Sequence, residues 1–282
     1  MKNPFRRSKS VKKQGPIRYQ IGNINISLPP GHRLPAYQSK HKNYDRFLPH
    51  LARYLDAGDV VIDVGANVGD TLASILDGNP HLHVLCIEAD DEFFGYLQNN
   101  LLSIKNDIPE ALVELAKALV GKTGSYAELS GEHGTKHAVM GNGGVPTRPL
   151  SEIVRQFPDL PAPRLIKSDV DGFDHDVISS AGELLDKKPL LFFECHFQET
   201  DQMKDYLLLL KNLFEMGYGY ITVFDNFGAV ICSTDNIYTV EEMFKYVDRQ
   251  NKEQETRTIY YYDVLVYDFE EKEWVKKILQ EY

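Results

Sequence analysis

Three short stretches gather the residue types that do chemistry. The first is Val61-Ile62-Asp63-Val64-Gly65-Ala66-Asn67-Val68-Gly69-Asp70-Thr71. An apolar run ends in a turn holding Gly65 and Gly69, where the missing Cβ atoms let the backbone pass close to a ligand. Asp63 stands at the tip of the run. Glu88 stands at the tip of the next apolar run, about twenty residues on, where an acid accepts hydrogen bonds from ribose hydroxyls. The second is Leu165-Ile166-Lys167-Ser168-Asp169-Val170-Asp171-Gly172-Phe173-Asp174-His175-Asp176, dense in carboxylates. Asp169 and Asp171 are candidates to orient or deprotonate a substrate hydroxyl, while Asp174 and Asp176 suit capping of the following helix. The third is Phe193-Glu194-Cys195-His196, where Glu194 and His196 alternate to one face of a strand. A histidine titrates near neutrality and can serve as a general base. Asp169, Asp171, Glu194 and His196 together could hold a divalent cation, but the spacing does not require one, and no residue is assigned as a metal ligand.

The glycine spacing discriminates between cofactors. A dinucleotide turn wants G-x-G-x-x-G, with pyrophosphate resting on the helix N-terminus. Here Asn67 takes the place of the second glycine and Asp70 follows Gly69, so an acid would oppose the pyrophosphate. S-adenosylmethionine, with its cationic sulfonium and ammonium, tolerates both. Turn capping alone would account for Asp63 and Asp70 but leaves Glu88 unexplained.

These residues need a scaffold that brings strand tips together. From residue 59 onward, apolar β-rich runs alternate with helical patterns. Strands are expected at 60–64, 83–87, 113–120, 165–170, 189–196, 220–224 and 263–267, with helices over 69–77, 91–102, 174–185 and 201–216 between them. Such alternation implies a parallel sheet covered on both faces, with ligands outside the carboxyl ends of the strands. The expected fold is therefore α/β: a Rossmann-like, doubly wound, seven-stranded sheet, mostly parallel with an antiparallel last strand. Residues 16–58 form a strand and helix cap, with a strand-like run at 21–28, a Pro-rich turn at Pro29-Pro30-Gly31 and a helix near 44–55. Residues 121–147 are Gly-rich and read as a β-hairpin with a mobile loop. Tyr260-Tyr261-Tyr262 reads first as core.

Composition narrows the partners. The 282-residue chain is 43% hydrophobic, which excludes a mostly disordered chain. It carries a net charge of −10. Residues 1–13 hold Lys2, Arg6, Arg7, Lys9, Lys12 and Lys13 without an acid, so the body is more acidic still. That body repels phosphate backbones, which disfavours nucleic acid as a partner. The basic tail, residues 1–15, reads as a disordered end that could touch anionic surfaces. Cys86, Cys195 and Cys232 sit in apolar runs without a CxxC, which fits a reducing compartment. No apolar stretch follows the basic start, so neither a signal peptide nor a transmembrane segment is expected, and the expected location is cytoplasmic.

In combination these segments resemble the FkbM family of S-adenosylmethionine-dependent methyltransferases. The resemblance rests on Ile62 to Thr71, Ile87-Glu88-Ala89-Asp90 with Tyr96-Leu97 and Asn99-Asn100-Leu101, Ala118-Leu119-Val120-Gly121 with Gly124, Leu165 to Asp174, and Phe193 to His196. It covers about residues 58–270. It implies that Asp63, Gly65, Asn67 and Gly69 surround the methionine part of S-adenosylmethionine, that Glu88 holds the ribose, that Asp90 or Ala118 lies near the adenine, and that Ala66, Asp70, Thr71 and Ala89 also belong to the cofactor site. Asp169 would face both cofactor and acceptor, and Asp169, Asp171 and His196 would act on the acceptor. The chain departs from the family pattern in three places. Asp171 and Asp174 stand for the usual glutamates, Ser168 for an apolar residue, and Ser151 for a Leu-Asp pair. Residues 28–49 are similar to a subgroup met in bacterial surface-polysaccharide biosynthesis. The implied activity is O-methylation of a sugar hydroxyl on a small-molecule or glycan acceptor. N-methylation of protein or nucleic acid lacks an Asn/Asp-Pro-Pro-aromatic tetrad, and a non-catalytic cofactor-binding scaffold remains the rival of another class.

Overall fold

A computed structural model describes residues 15–282 apart from 132–136, 142 and 254–255. The basic tail and the tip of the Gly-rich segment thus lie mainly outside the described residues. The chain opens with a hairpin, β1 (Ile17–Ile21) and β2 (Ile24–Leu28), followed by α1 (Leu34–Lys40) and α2 (Phe47–Ala52). The alternating region runs β3 (Val60–Val64), α3 (Asp70–Gly78), β4 (His83–Glu88), α4 (Asp91–Asp107) and β5 (Leu112–Lys117). A small excursion follows, with β6 (Leu119–Val120), β7 (Tyr126–Ser130), β8 (His137–Gly141), β9 (Val145–Arg148) and α5 (Leu150–Val154). The chain then returns through β10 (Pro163–Ser168), α6 (Asp174–Ser179), β11 (Leu190–Cys195) and α7 (Thr200–Glu215). It closes with β12 (Tyr218–Asp225), β13 (Val230–Thr234), α8 (Ile237–Glu253), β14 (Tyr262–Asp268) and α9 (Lys272–Glu281).

The central sheet has the order β13-β12-β14-β11-β10-β3-β4-β5. Strands β11, β10, β3, β4 and β5 are mutually parallel, and β14 inserts antiparallel between β11 and β12. This is the doubly wound, mostly parallel sheet with an antiparallel last strand. An eighth strand extends it: β13 folds back on β12 as an edge hairpin, and its largely exposed side chains give it little apolar signal. Side chains alternate across the sheet. Val60, Ile62 and Val64 enter one core, and Val61 the other. Burial on both faces explains why β3 reads as an unbroken apolar run.

Several boundaries differ from the sequence expectation. The run at 113–120 splits at Ala118, because Leu119 and Val120 leave the main sheet to pair with β9 in a separate four-stranded sheet. The helix at 174–185 ends at Ser179 and gives way to a 3-10 turn beginning at Gly182, which adopts a left-handed φ of 54°. The run at 21–28 is the second half of a hairpin that reverses at Gly22. The helix near 44–55 contracts to α2, and α1, α5, α8 and α9 are helices beyond those expected.

The hairpin and α2 are part of the second core. Ile24, Ile26, Leu28, Phe47 and Leu51 bury themselves with Leu72, Ile75 and Leu97. Asn100 of α4 fixes this packing. Its Oδ1 accepts from the Ser27 N–H at 2.7 Å, and its Nδ2 donates to the carbonyls of Ser27 (2.9 Å) and Val68 (2.8 Å). One buried amide thus ties the N-terminal hairpin to the turn after β3.

Candidate active site

A cavity of about 640 Å³ opens at the carboxyl ends of β3, β4, β5, β10 and β11. Gly65, Asn67, Asp70, Thr71, Glu88, Ala89, Ala118, Asp169, Asp171 and His196 line it, so most of the sequence-predicted site residues meet in one place. Asp63, Ala66, Gly69 and Asp90 do not line it. Ala66 is buried, and Gly69 starts α3 in a left-handed conformation. Asp90 caps α4 by accepting from the N–H groups of Glu92 and Phe93.

The first turn is shaped by alternate left-handed residues, Gly65 (φ 75°), Asn67 (φ 48°) and Gly69 (φ 85°). At Gly65 the glycine is obligatory for a second reason. A Cβ there would lie 2.0 Å from the carbonyl oxygen of Asp169. The turns after β3 and β10 therefore cross in backbone contact, and this crossing brings the first two sequence-predicted segments together. Glu88 is buried and joins the wall from β4. Its Oε2 accepts from the Asn67 N–H at 2.8 Å and its Oε1 from the Asp90 N–H at 2.7 Å. Burial raises its pKa, and those backbone donors oppose the rise.

Beneath the turn lies a buried ion pair. Asp63 and Lys167 are paired neighbours in the β3–β10 register, and Lys167 Nζ stands 2.9 Å from Asp63 Oδ1. The same Nζ donates to the Gly65 carbonyl at 3.1 Å and lies 3.9 Å from Asp169 Oδ2. Burial disfavours the ammonium charge, but Asp63 and Asp169 outweigh it and hold the pKa above the ordinary lysine value. Asp63 is thus a support under the glycine turn, acting through Lys167. The sequence quoted Lys167 without giving it a role; only the strand register reveals it.

The turn after β10 carries two successive left-handed residues, Asp171 (φ 52°) and Gly172 (φ 102°). Asp174 braces it. Its Oδ1 accepts from Ser168 Oγ at 2.6 Å and from the Val170 N–H at 3.2 Å, and its Oδ2 from the Gly172 N–H at 3.3 Å. Two departures from the family pattern, Ser168 and Asp174, are therefore partners: a hydroxyl meets the shorter carboxylate. Full burial raises the Asp174 pKa to about 7. Asp176 lies apart and pairs with Lys122 at 2.6 Å.

The part of the cavity around the ends of β10, β11 and β14 is crowded with acids. Asp169 is exposed into the cavity, Asp171 is half-buried, and Glu194 is buried with Oε1 3.4 Å from His196 Nδ1. Asp263 on β14 is the cross-strand neighbour of Glu194. Burial pushes the Glu194 and Asp263 carboxyls well above their ordinary values, and Asp169 adds to both. Sequence reasoning singled out a cap at residues 16–58 but assigned none of its individual residues to the remaining wall. The N-terminal segment supplies His32, Tyr37, Tyr44 and Asp45, and the β12–β13 turn supplies Asn226 and Phe227. His41 stacks on Phe227 with ring centroids 3.8 Å apart, closing one segment against the other. Asp45 faces the open cavity, yet the surrounding protein desolvates it and Asp70 and Asp169 repel its charge, raising its pKa to about 8. Tyr261 lies on this wall, its ring 5.7 Å from that of His196, so it is not core. Residues 28–49 carried a usable signal, but nothing local says that they return to the strand tips.

Residues 63–220 match the methyltransferase FkbM domain family. Among solved structures, the chain is similar to methyltransferase FkbM from Methylobacillus flagellatus KT at 15% identity and a TM-score of 0.47, covering 83% of this chain. It spans 59% of the length of that protein. It is also similar to precorrin-6y C5,15-methyltransferase from Geobacter metallireducens GS-15, at 13% identity and a TM-score of 0.39, covering 78% of this chain and 85% of that one. A third is P. horikoshii TYW2 in complex with MeSAdo, at 12% identity and a TM-score of 0.44, covering 89% of this chain and 71% of that one. None of the curated proteins matches the chain. With the domain match spanning more than half of the sequence, the chain belongs to the FkbM family of S-adenosylmethionine-dependent methyltransferases.

Proposed function

We propose that the protein is an O-methyltransferase that takes its methyl group from S-adenosylmethionine and delivers it to a sugar hydroxyl in glycan or polysaccharide biosynthesis, in the cytoplasm. Residues 59–282 would form the catalytic domain and residues 16–58 its cap. The observation that carries the reading is one cavity shared by two sets of residues. The glycine turn, Glu88, Ala89 and Ala118 line it together with Asp169, Asp171 and His196. Its volume of about 640 Å³ lies within the roughly 300–1,000 Å³ usual for cofactor sites. The excess of carboxylates suits a cationic ligand, and Glu88 at the tip of β4 is placed to accept from a ribose diol.

When bound, S-adenosylmethionine supplies an electrophilic methyl on a positive sulfur. Asp169, exposed in the cavity beside the glycine turn, takes the acceptor's proton as the carbon–oxygen bond forms and the carbon–sulfur bond breaks. His196 and Asp171 orient the hydroxyl. Lys167 holds the turns in place from below. Much of the acceleration then comes from positioning. The sugar assignment is supported by the far wall, which carries the aromatic rings of Tyr37, Tyr44 and Tyr261 together with Asp45, Asn226 and Asp263. Rings of that kind cover sugar C–H surfaces, and the polar groups pair with hydroxyls. No helix among the described residues is long and apolar enough to cross a membrane.

Calorimetry with S-adenosylmethionine followed by methyl transfer to glycan acceptors tests the reading. Asp169→Ala is expected to keep cofactor binding and to lose methylation by about a hundredfold or more. Failure to bind S-adenosylmethionine, or wild-type transfer by Asp169→Ala, refutes it.

A further inference from the structure

We infer that Asp171, Glu194 and His196 form a divalent-cation site at the acceptor end of the cavity, an inference that rests on the methyltransferase reading of that cavity. One ligand atom from each residue lies within 4.8 Å of the other two. An ion with ligands at about 2.1–2.4 Å spans roughly 4.2–4.8 Å between opposite ligands, so side-chain shifts of a few tenths of an ångström bring all three atoms onto one ion. The residues come from two adjacent strand ends. Asp171 follows β10, while Glu194 and His196 project from the same face at the end of β11.

A second, independent feature points to a cation. Glu194 is only 6% exposed, and its Oε1 is fully buried without a hydrogen-bond donor. A buried carboxylate oxygen without a partner is costly. Its cross-strand neighbour is another acid, Asp263, in an arrangement that repels when both are charged. The nearby ammonium, Lys167, is already committed to Asp63 and the Gly65 carbonyl. A divalent ion would satisfy Glu194 Oε1 and offset the surrounding acids at once. Two carboxylates with one imidazole suit Mn²⁺ or Mg²⁺ more than a soft ion. The remaining coordination positions would face the cavity and take a pair of acceptor hydroxyls. Such an ion would stabilise the alkoxide as the hydroxyl proton passes to Asp169, and His196 would be a ligand, not a base.

The test is titration of the full chain with Mn²⁺, following free Mn²⁺ by electron paramagnetic resonance, with S-adenosylhomocysteine binding measured on the same samples. One Mn²⁺ per chain is expected. Glu194→Gln and Asp171→Asn should weaken it about tenfold or more, and the exposed Asp159→Asn should not change it. Thermal melts accompany each variant. If Glu194→Gln fails to fold, Asp171→Asn and His196→Asn at half-buried positions decide the question. Saturable Mn²⁺ binding that these variants weaken supports the site. S-adenosylhomocysteine binding without Mn²⁺ binding, or Mn²⁺ binding indifferent to all three residues, overturns the site and leaves the methyltransferase reading standing. Absence of both overturns both.

Discussion

Replacing Lys167 by methionine keeps most of the side-chain volume and removes the charge. Asp63 would then stand buried beside an apolar chain, with its 2.9 Å counter-ion gone. Breaking a buried pair from one side costs about 3–5 kcal/mol, because the remaining charge is uncompensated. With an unfolding entropy of about 2.1 cal/mol/K per residue over 282 residues, that loss lowers Tm by about 5–8 °C. The same change removes the donor to the Gly65 carbonyl. The cofactor turn loosens, and S-adenosylhomocysteine affinity should fall about tenfold, equivalent to roughly 1.4 kcal/mol. Pairing Lys167→Met with Asp63→Leu removes both charges, and an apolar replacement of that kind is often neutral. The double variant should therefore regain at least half of the lost stability while its affinity stays reduced. Differential scanning calorimetry and isothermal titration on the wild type, both single variants and the double variant give the full cycle. A Tm change below about 2 °C for Lys167→Met, or a double variant no more stable than Lys167→Met alone, would refute the argument that the register-matched pair carries the turn.

Three further outcomes are expected. Gly65→Ala places a carbon 2.0 Å from the Asp169 carbonyl oxygen in a left-handed backbone, so the two turns must part by about 1 Å or more to reach ordinary contact; calorimetry should show cofactor affinity reduced by at least about tenfold. Glu88→Ala leaves the Asn67 and Asp90 N–H groups without their carboxylate acceptor, and S-adenosylhomocysteine should bind about 10–100-fold more weakly, with Glu88→Gln intermediate. Asp174 holds its proton up to about pH 7 when folded, against 3.8 for the free group. The folded state thus binds the extra proton between those values, so this group makes stability fall as pH rises from about 4 to 7, by up to about 1.4 kcal/mol per pH unit. Urea midpoints measured from pH 4.5 to 7.5 should lose that slope in Asp174→Asn, and parallel slopes would exclude it.

What the chain determines locally is legible residue by residue. The buried runs of β3, β4, β10 and β11 announce a sheet covered on both faces, and the turns that follow them carry the glycines and acids. The positions of Gly65, Asn67, Glu88, Asp169 and His196 at one sheet edge follow from strand order alone, because parallel strands bring their carboxyl ends together. Edge strand β13 escaped notice because its exposed side chains leave no clear apolar pattern. The break at Ala118 escaped because Leu119 and Val120 are as apolar as the strand they leave.

Tertiary structure decided the rest, because it depends on register and on contacts between distant segments. The β3–β10 register makes Asp63 the partner of Lys167. The β11–β14 register sets Asp263 against Glu194 and builds an acidic pocket that neither strand reveals alone. The close crossing at Gly65 depends on where the Asp169 carbonyl happens to lie. Packing of residues 32–45 against the β12–β13 turn makes the far wall of the cavity. Sequence patterning specifies which residues face inward and which cap a turn, since those are short-range choices of period and conformation. It does not specify which side chains from separate strands stand side by side, and the reactive geometry of this site is made of those neighbours.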